Sequence, residues 1–196
     1  MTPPGPAMER LVVVSGPSGA GKGTVVQGLL ALRDDVWLSV SATTRPARMG
    51  EQHGRDYLFV SAAEFMGMRD RGELLEWAEV FGNYYGTPRA PVETALADGY
   101  LVICELDVQG ATAVKRAAPE AVLVFIEPPS LDDLSLRLRG RGTEDPQSLS
   151  RRLLASYDEV KNKGLYDHIV VNESVGKAVG ELFRIMDQLK PQKGLL

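Results

Sequence analysis

Short apolar runs recur along the chain, each bounded by glycine or polar residues. The first, Leu11–Val14, is β-branched and is followed at once by glycines and then by a helical pattern over residues 24–33. Strand-sized runs return at Tyr100–Leu106, Ala121–Ile126 and His168–Val171, and each leads into a segment of helical character at 108–117, 131–139 and 175–189. These runs are apolar throughout rather than alternating, which predicts strands buried on both faces. Strands of that kind joined by helices predict a parallel sheet covered on both sides, an α/β fold.

Between Ser41 and Gly99 the texture changes to charged and aromatic residues, with an alternating stretch at Glu73–Phe81 and a turn candidate at Phe81-Gly82-Asn83. This predicts an inserted lobe with antiparallel strands. Ser61 and Glu64 have the spacing of a capping box and predict a short helix starting there. A second polar insertion runs from Pro128 to Gly164, with Ser130 and Pro146 as helix starts.

Composition narrows the picture. A chain of 196 residues, 44% of them apolar, predicts one compact domain with insertions. The single cysteine, Cys104, excludes an internal disulfide and a multi-cysteine zinc site, and suits a reducing, cytoplasmic setting. The two histidines, His53 and His168, are far apart, which argues against a transition-metal enzyme. A net charge of −4 argues against nucleic acid or an anionic membrane as partner, so any bound anion must be held by local Arg and Lys clusters. The longest apolar run, Ala121–Ile126, is far below the ~18 residues of a membrane span. The proline- and glycine-rich start lacks a signal-peptide pattern and reads as a flexible tail over residues 1–8. Both a monomer and a homo-oligomer are compatible with the sequence.

The strongest chemical signal is VVVSGPSGAGKGT, Val12 to Thr24. Gly16, four intervening residues, then Gly21 and Lys22 form a phosphate-binding loop, in which glycines let successive N–H groups converge on an anion at a helix N-terminus. Lys22 adds a full charge. One position departs from the pattern: Gly23 stands where a magnesium-binding Ser or Thr is expected, and Thr24 follows it. Arg45, Arg48 and Arg55 with Tyr57 offer forked donors and a hydroxyl for a second phosphate, although arginines in a loop are often merely solvated. ELLEWAEVFGNYYGTPRA carries Glu73, Glu76 and Glu79 on what alternation alone makes an ordinary amphipathic strand. In ELDVQGA, Glu105 and Asp107 fall at the C-terminal end of a predicted parallel strand, the edge where α/β sheets bind ligands; Asp107 also fits a helix N-cap. RLRGRGTE supplies Arg137 and Arg141, joined by Arg151 and Arg152 further on.

Taken in order and spacing, GPSGAGKGT, SATTRPARMGEQHGRDYLF, EWAEVFGNYYGT, ELDVQGA and RLRGRGTE resemble the guanylate kinases, from about Arg10 to the last helix. The resemblance implies a P-loop NTPase core with a five-stranded parallel sheet (residues 9–40, 99–128 and 165–190 of a domain spanning 9–190), a GMP-binding lobe at 41–98 and a helical lid at 129–164. It implies transfer of a phosphate from ATP to GMP, and to dGMP, with Mg²⁺. On the ATP side it implicates Gly16, Pro17, Ser18, Gly19, Ala20, Gly21, Lys22, Gly23 and Thr24, with Asn172 near the adenine. On the GMP side it implicates Ser41, Arg45, Arg48, Tyr57, Glu76, Tyr85, Thr87 and Asp107. Lys22, Arg45, Arg137, Arg141 and Arg152 are implied as catalytic cations, and Thr24 and Glu105 as metal contacts, partly through water. The GKGT ending at Gly21–Thr24 is shared with adenylate kinases, which keeps an AMP or UMP kinase as an alternative, and a non-catalytic guanylate-kinase-like binding module is a further one.

Overall fold

In a computed structural model that describes residues 7–140, 156–157 and 159–189, the chain enters its first strand, β1 (Leu11–Ser15), from a short 3₁₀ turn at Met8–Arg10. Helix α1 (Lys22–Leu30) follows, then β2 (Val36–Leu38), and the chain leaves the core for β3 (Ala42–Thr43) and β4 (Leu58–Phe59). Helix α2 (Ala62–Asp70), the hairpin β5 (Leu74–Val80) and β6 (Asn83–Pro88), and helix α3 (Arg89–Ala97) bring it back. β7 (Leu101–Glu105), α4 (Val108–Ala117), β8 (Val122–Glu127), α5 (Leu131–Gly140), β9 (His168–Val171) and α6 (Val175–Gln188) complete the order.

The main sheet has the order β2-β7-β1-β8-β9, and every neighbouring pair is parallel. Its pleat sorts side chains between two layers. Val12 and Val14 of β1 pack with Val25, Val26 and Leu29 of α1 and Leu182 and Met186 of α6, while Leu11 and Val13 pack with Val92 and Leu96 of α3 and Val114 of α4. All of β1 is therefore buried, which is why its run is apolar without alternation. Burying each such side chain contributes roughly 1.5–3 kcal/mol against leaving it exposed. Met8, placed in the tail by the sequence, packs against the second of these layers, so folded chain begins by that residue.

The second sheet, β4-β3-β6-β5, is mixed: β3 pairs β4 in parallel, and the other pairings are antiparallel. Val80 pairs with Asn83, leaving the two-residue loop Phe81-Gly82 with φ of 50° and 76°. A hairpin loop with both central residues at positive φ matches strand twist, and Gly82 takes its share without cost. Ser61 caps α2 as its spacing predicts, accepting from the Glu64 N–H while the Glu64 carboxylate accepts from the Ser61 N–H at 2.7 Å. Ser130 likewise accepts from Asp133 N–H at 3.0 Å at the start of α5. The helix start at Pro146 lies outside the described residues. Two elements escape the apolar pattern. β2 is three residues long and only partly buried, and α3 carries Pro91 in its first turn, where proline is tolerated but helical periodicity has hardly begun.

Candidate active site

β1, β7 and β9 all end on one edge of the main sheet, and the site is assembled there. Between β1 and α1 the loop turns through Gly16, Gly19 and Gly21, at φ of 138°, 92° and 89°. A side chain at Gly16 would run into the main-chain carbonyl of Ile126 on β8, and a Cβ at Gly21 would lie 2.6 Å from Asn172 Nδ2. Ala20 N–H donates to the Pro17 carbonyl at 3.0 Å and closes the loop. Helix α1 has no side-chain cap and no acid in its first turn, so its N–H groups and positive dipole end face the cleft uncompensated. Lys22 Nζ folds back to donate to the carbonyls of Gly16 and Pro17 at 2.5 and 3.2 Å. The Ala20 carbonyl accepts from Asn172 Nδ2 at 2.8 Å and from Arg137 Nη1 at 3.4 Å, while Arg137 Nη2 donates to the Asn172 carbonyl at 3.2 Å.

A cleft of about 780 Å³ runs from this loop to the second sheet. Of the residues selected from the sequence, Gly16, Ser18, Gly19, Gly21, Lys22, Gly23 and Thr24 line it at one end, and Ser41, Arg48, Tyr57, Glu76 and Tyr85 at the other. Glu105 and Asp107, at and just beyond the end of β7, line it between them. A second recess of about 380 Å³ lies against the loop, lined by Thr24, Arg137, Asn172 and the Glu173–Val175 turn. Thr87 joins through Glu76, to whose Oε1 its hydroxyl donates at 2.7 Å. Asp107 serves both readings of the sequence: it faces the cleft and its Oδ1 caps α4 by accepting from Gly110 N–H at 2.8 Å. Arg45 is set into the lobe, 9% exposed, with its guanidinium 4.9 Å from the centre of the Tyr57 ring. Arg141 and Arg152 lie outside the described residues.

Burial sets the charge states. Glu76, 6% exposed, has its carboxyl pushed up to about 7 by desolvation, against the Thr87 hydrogen bond that favours the anion. Glu105 is also raised by desolvation, with Lys22 pulling the other way. Glu51 behaves oppositely, because its bonds to Arg45 hold it down at about 2. Sequence reasoning passed over Glu51 although it stands among the arginines of the quoted loop, where an acid six residues after Arg45 was the available signal. It also passed over Glu159, which lines the cleft near Ser18 and is pushed up to about 7 by burial against the pull of Lys22. No local pattern marks that residue.

Among the described residues no group of three His, Cys, Asp or Glu is placed to hold a metal unaided. The donors at the cleft floor are hard oxygens, the Thr24 hydroxyl and the Glu105 carboxylate, and Gly23 leaves the ground between α1 and Glu105 open: a Cβ there would be 3.6 Å from Glu105 Oε2. Sparse oxygen donors with room for water and nucleotide phosphates suit magnesium, which rarely takes an all-protein cage.

Residues 8–189 match the sequence pattern of a family described as guanylate kinase. A guanylate kinase from Gloeobacter violaceus is 47% identical over 98% of this chain and 94% of its own length. One from Streptomyces coelicolor is 50% identical over 93% of this chain and 92% of its own. The crystal structure of guanylate kinase from Anaplasma phagocytophilum superposes with a TM-score of 0.76 at 33% identity, covering 93% of this chain and 87% of that one.

Proposed function

The chain belongs to the guanylate kinase family, whose members transfer a phosphate from ATP to GMP, and on that premise we propose how its residues divide the work. The phosphate loop and Lys22 hold the donor phosphates, Asn172 and Arg137 flank the recess for the adenine end, and Arg45, Arg48, Tyr57 and Tyr85 hold the acceptor phosphate. Ser41, Glu76 and Thr87 read the guanine. The observation that carries this division is Glu76: a buried carboxylate, oriented by Thr87, opening into the same cleft as the phosphate loop. Guanine offers N1–H and N2–H₂ side by side to such a group, whereas adenine presents an acceptor at N1.

The acceptor is already an anion, so transfer needs no general base. Catalysis then rests on in-line placement and neutralisation of charge. Lys22, Arg45, Arg48 and Arg137, together with the lid arginines Arg141 and Arg152, supply the cations that let two polyanions approach in a protein of net charge −4. Glu105, with Thr24 through water, would hold Mg²⁺, and the ion would supply charge neutralisation on the donor phosphates. The proposed contacts read base and phosphate, so dGMP is a second acceptor. The buried thiol of Cys104 is in keeping with a cytoplasmic setting, and among the described residues no helix is long and apolar enough to cross a membrane.

A coupled assay for ADP with GMP, dGMP, AMP and UMP as acceptors tests the reading. Turnover with GMP and dGMP and none with AMP or UMP is expected. Comparable rates with AMP would remove Glu76 from its role, and no turnover with any acceptor would leave a binding module.

A further inference from the structure

Arg45 and Arg48 are held in place by a residue that neither the phosphate loop nor the guanine pocket uses. Glu51 Oε1 accepts from Arg45 Nη2 at 2.7 Å and Oε2 accepts from Arg45 Nη1 at 2.7 Å, a planar fork-to-fork pair. The same Oε2 accepts from the Arg48 main-chain N–H at 2.7 Å, and Arg45 Nη1 donates again to the Pro46 carbonyl at 2.9 Å. The Tyr57 and Phe59 rings, 4.9 and 5.6 Å from the guanidinium carbon, stop the group from tilting. A guanidinium presents two forks, one across its terminal nitrogens and one along Nε and Nη2. Glu51 occupies the first. Among the described residues the second, Nε–H with the remaining Nη2–H, has no acceptor, and it is an edge that fits two phosphate oxygens.

We propose that Glu51 is a positioning residue for the acceptor phosphate: by taking the end fork of Arg45 and the main chain of Arg48 on one carboxylate, it presents the side fork of Arg45 preformed. This rests on the assignment of Arg45 to the GMP phosphate. The rival arrangement is a latch, in which Glu51 stands in for the phosphate and must be displaced by it. The two differ in sign. A positioning carboxylate makes GMP bind more tightly than it would without it, because less side-chain freedom is lost on binding; a latch makes GMP bind more weakly.

The experiment measures binding of GMP and of guanosine by calorimetry, with steady-state kinetics, for the wild type, Glu51→Gln, Glu51→Asp and Arg45→Ala. Glutamine keeps the shape but turns one oxygen into a donor facing the donors of Arg45, so GMP affinity should fall at least tenfold. Guanosine, which lacks the phosphate, should bind as before. The KM for GMP should rise by the same factor while kcat at saturating GMP changes less than threefold and the KM for ATP less than twofold, and Glu51→Asp should recover part of the loss. Unchanged or tighter GMP binding in Glu51→Gln overturns the proposal in favour of the latch or of no role. Equal loss of GMP and guanosine overturns it too, since Glu51 would then be holding the lobe as a whole. Arg45→Ala separates the layers: if it leaves GMP binding intact, the assignment of Arg45 to the phosphate has failed, and if it weakens GMP while Glu51→Gln does not, only the positioning role has failed.

Discussion

At the proposed donor end of the cleft the groups available to a phosphate are main-chain N–H groups at a strand–helix joint, whereas at the proposed acceptor end they are side chains carried on a small mixed sheet. The donor end depends on what is missing from it: side chains at Gly16 and Gly21 would meet Ile126 and Asn172. The acceptor end depends on register. Glu76 pairs with Thr87 and Ala78 with Tyr85 across β5 and β6, and Thr43 pairs with Tyr85 from the other side. A one-residue slip would turn the Glu76 carboxylate to the opposite face. A main-chain site tolerates almost any change that spares its glycines and its cations, while a side-chain site can be lost or retuned a residue at a time.

Lys22 is the point at which the donor end does depend on a side chain, and it should show the largest effect. Among the described residues it packs into no core cluster and its side-chain hydrogen bonds go to loop carbonyls. Lys22→Met should lower kcat on the order of 10³-fold by removing charge from the transferring phosphate, with little change in Tm. Retention of most of the activity would show that the main chain suffices.

Glu76 is the matching side chain at the acceptor end. Glu76→Gln should cost ~1–3 kcal/mol in kcat/KM for GMP, since guanine donors lose a charged acceptor, and leave the KM for ATP unchanged. With its carboxyl near 7 in the folded chain, Glu76 is protonated on acidification and can no longer accept two bonds, so the KM for GMP should rise as pH falls below about 7. Stability moves the opposite way. The folded state keeps a proton that the unfolded carboxyl, at 4.5, has released, so stability falls as pH rises through that window. Glu76→Gln removes the buried charge and should be more stable than the wild type at pH 8 by about 1–3 kcal/mol, and nearly equal at pH 5. Thermal melts at both values check the sign.

The contrast between the ends also explains what could be read from the sequence. The phosphate loop is local: its glycines, lysine and helix lie within Val12–Leu30, and the pleated burial of β1 follows from composition alone. Glu105 and Asp107 were placed by the rule that ligands meet the C-terminal strand edge. The acceptor end is non-local. Glu76 reads as one of several acids on an amphipathic strand, and its burial follows from α4 packing over that face of β5. Its role came from the resemblance, not from periodicity. Glu159 was illegible because the chain brings it to Ser18 from far away, and β2 because three half-buried residues carry too little pattern.

Gly110 tests whether the acceptor end also relies on an absent side chain. A Cβ there would lie 2.8 Å from Glu76 Oε2 and 3.3 Å from Leu106 Cβ, so α4 approaches the Glu76 carboxylate closely because this residue is glycine. The carboxylate can yield by a few tenths of an ångström. Gly110→Ala should therefore raise the KM for GMP about three- to tenfold with the KM for ATP unchanged, a modest misplacement cost. Replacing a helical glycine by alanine should meanwhile favour the fold by ~0.5–1 kcal/mol. A variant that binds GMP normally would show that the contact is slack.

The smallest expected effect falls where the donor end departs from its own pattern. Gly23 stands where a hydroxyl would meet magnesium, and Thr24, one residue on, is rotated by about 100° around the helix. Thr24 borders both the main cleft and the recess beside Asn172, whereas Glu105 borders the main cleft. Magnesium keeps water readily, so a loop with no hydroxyl at position 23 would leave that ligand position to water. A Cβ at Gly23 would make ordinary contacts at 3.6 and 3.8 Å with the Glu105 carboxylate oxygens, so a serine fits there without moving the main chain. Gly23→Ser should lower the magnesium concentration for half-maximal rate about two- to fivefold by replacing that water with a hydroxyl. Thr24→Ala should raise the KM for ATP and leave the magnesium midpoint nearly where it was. A magnesium titration of the three proteins at saturating ATP and GMP distinguishes the cases: a strong shift in Thr24→Ala alone would make Thr24 the ligand, and the donor end would then depend on a second side chain after all.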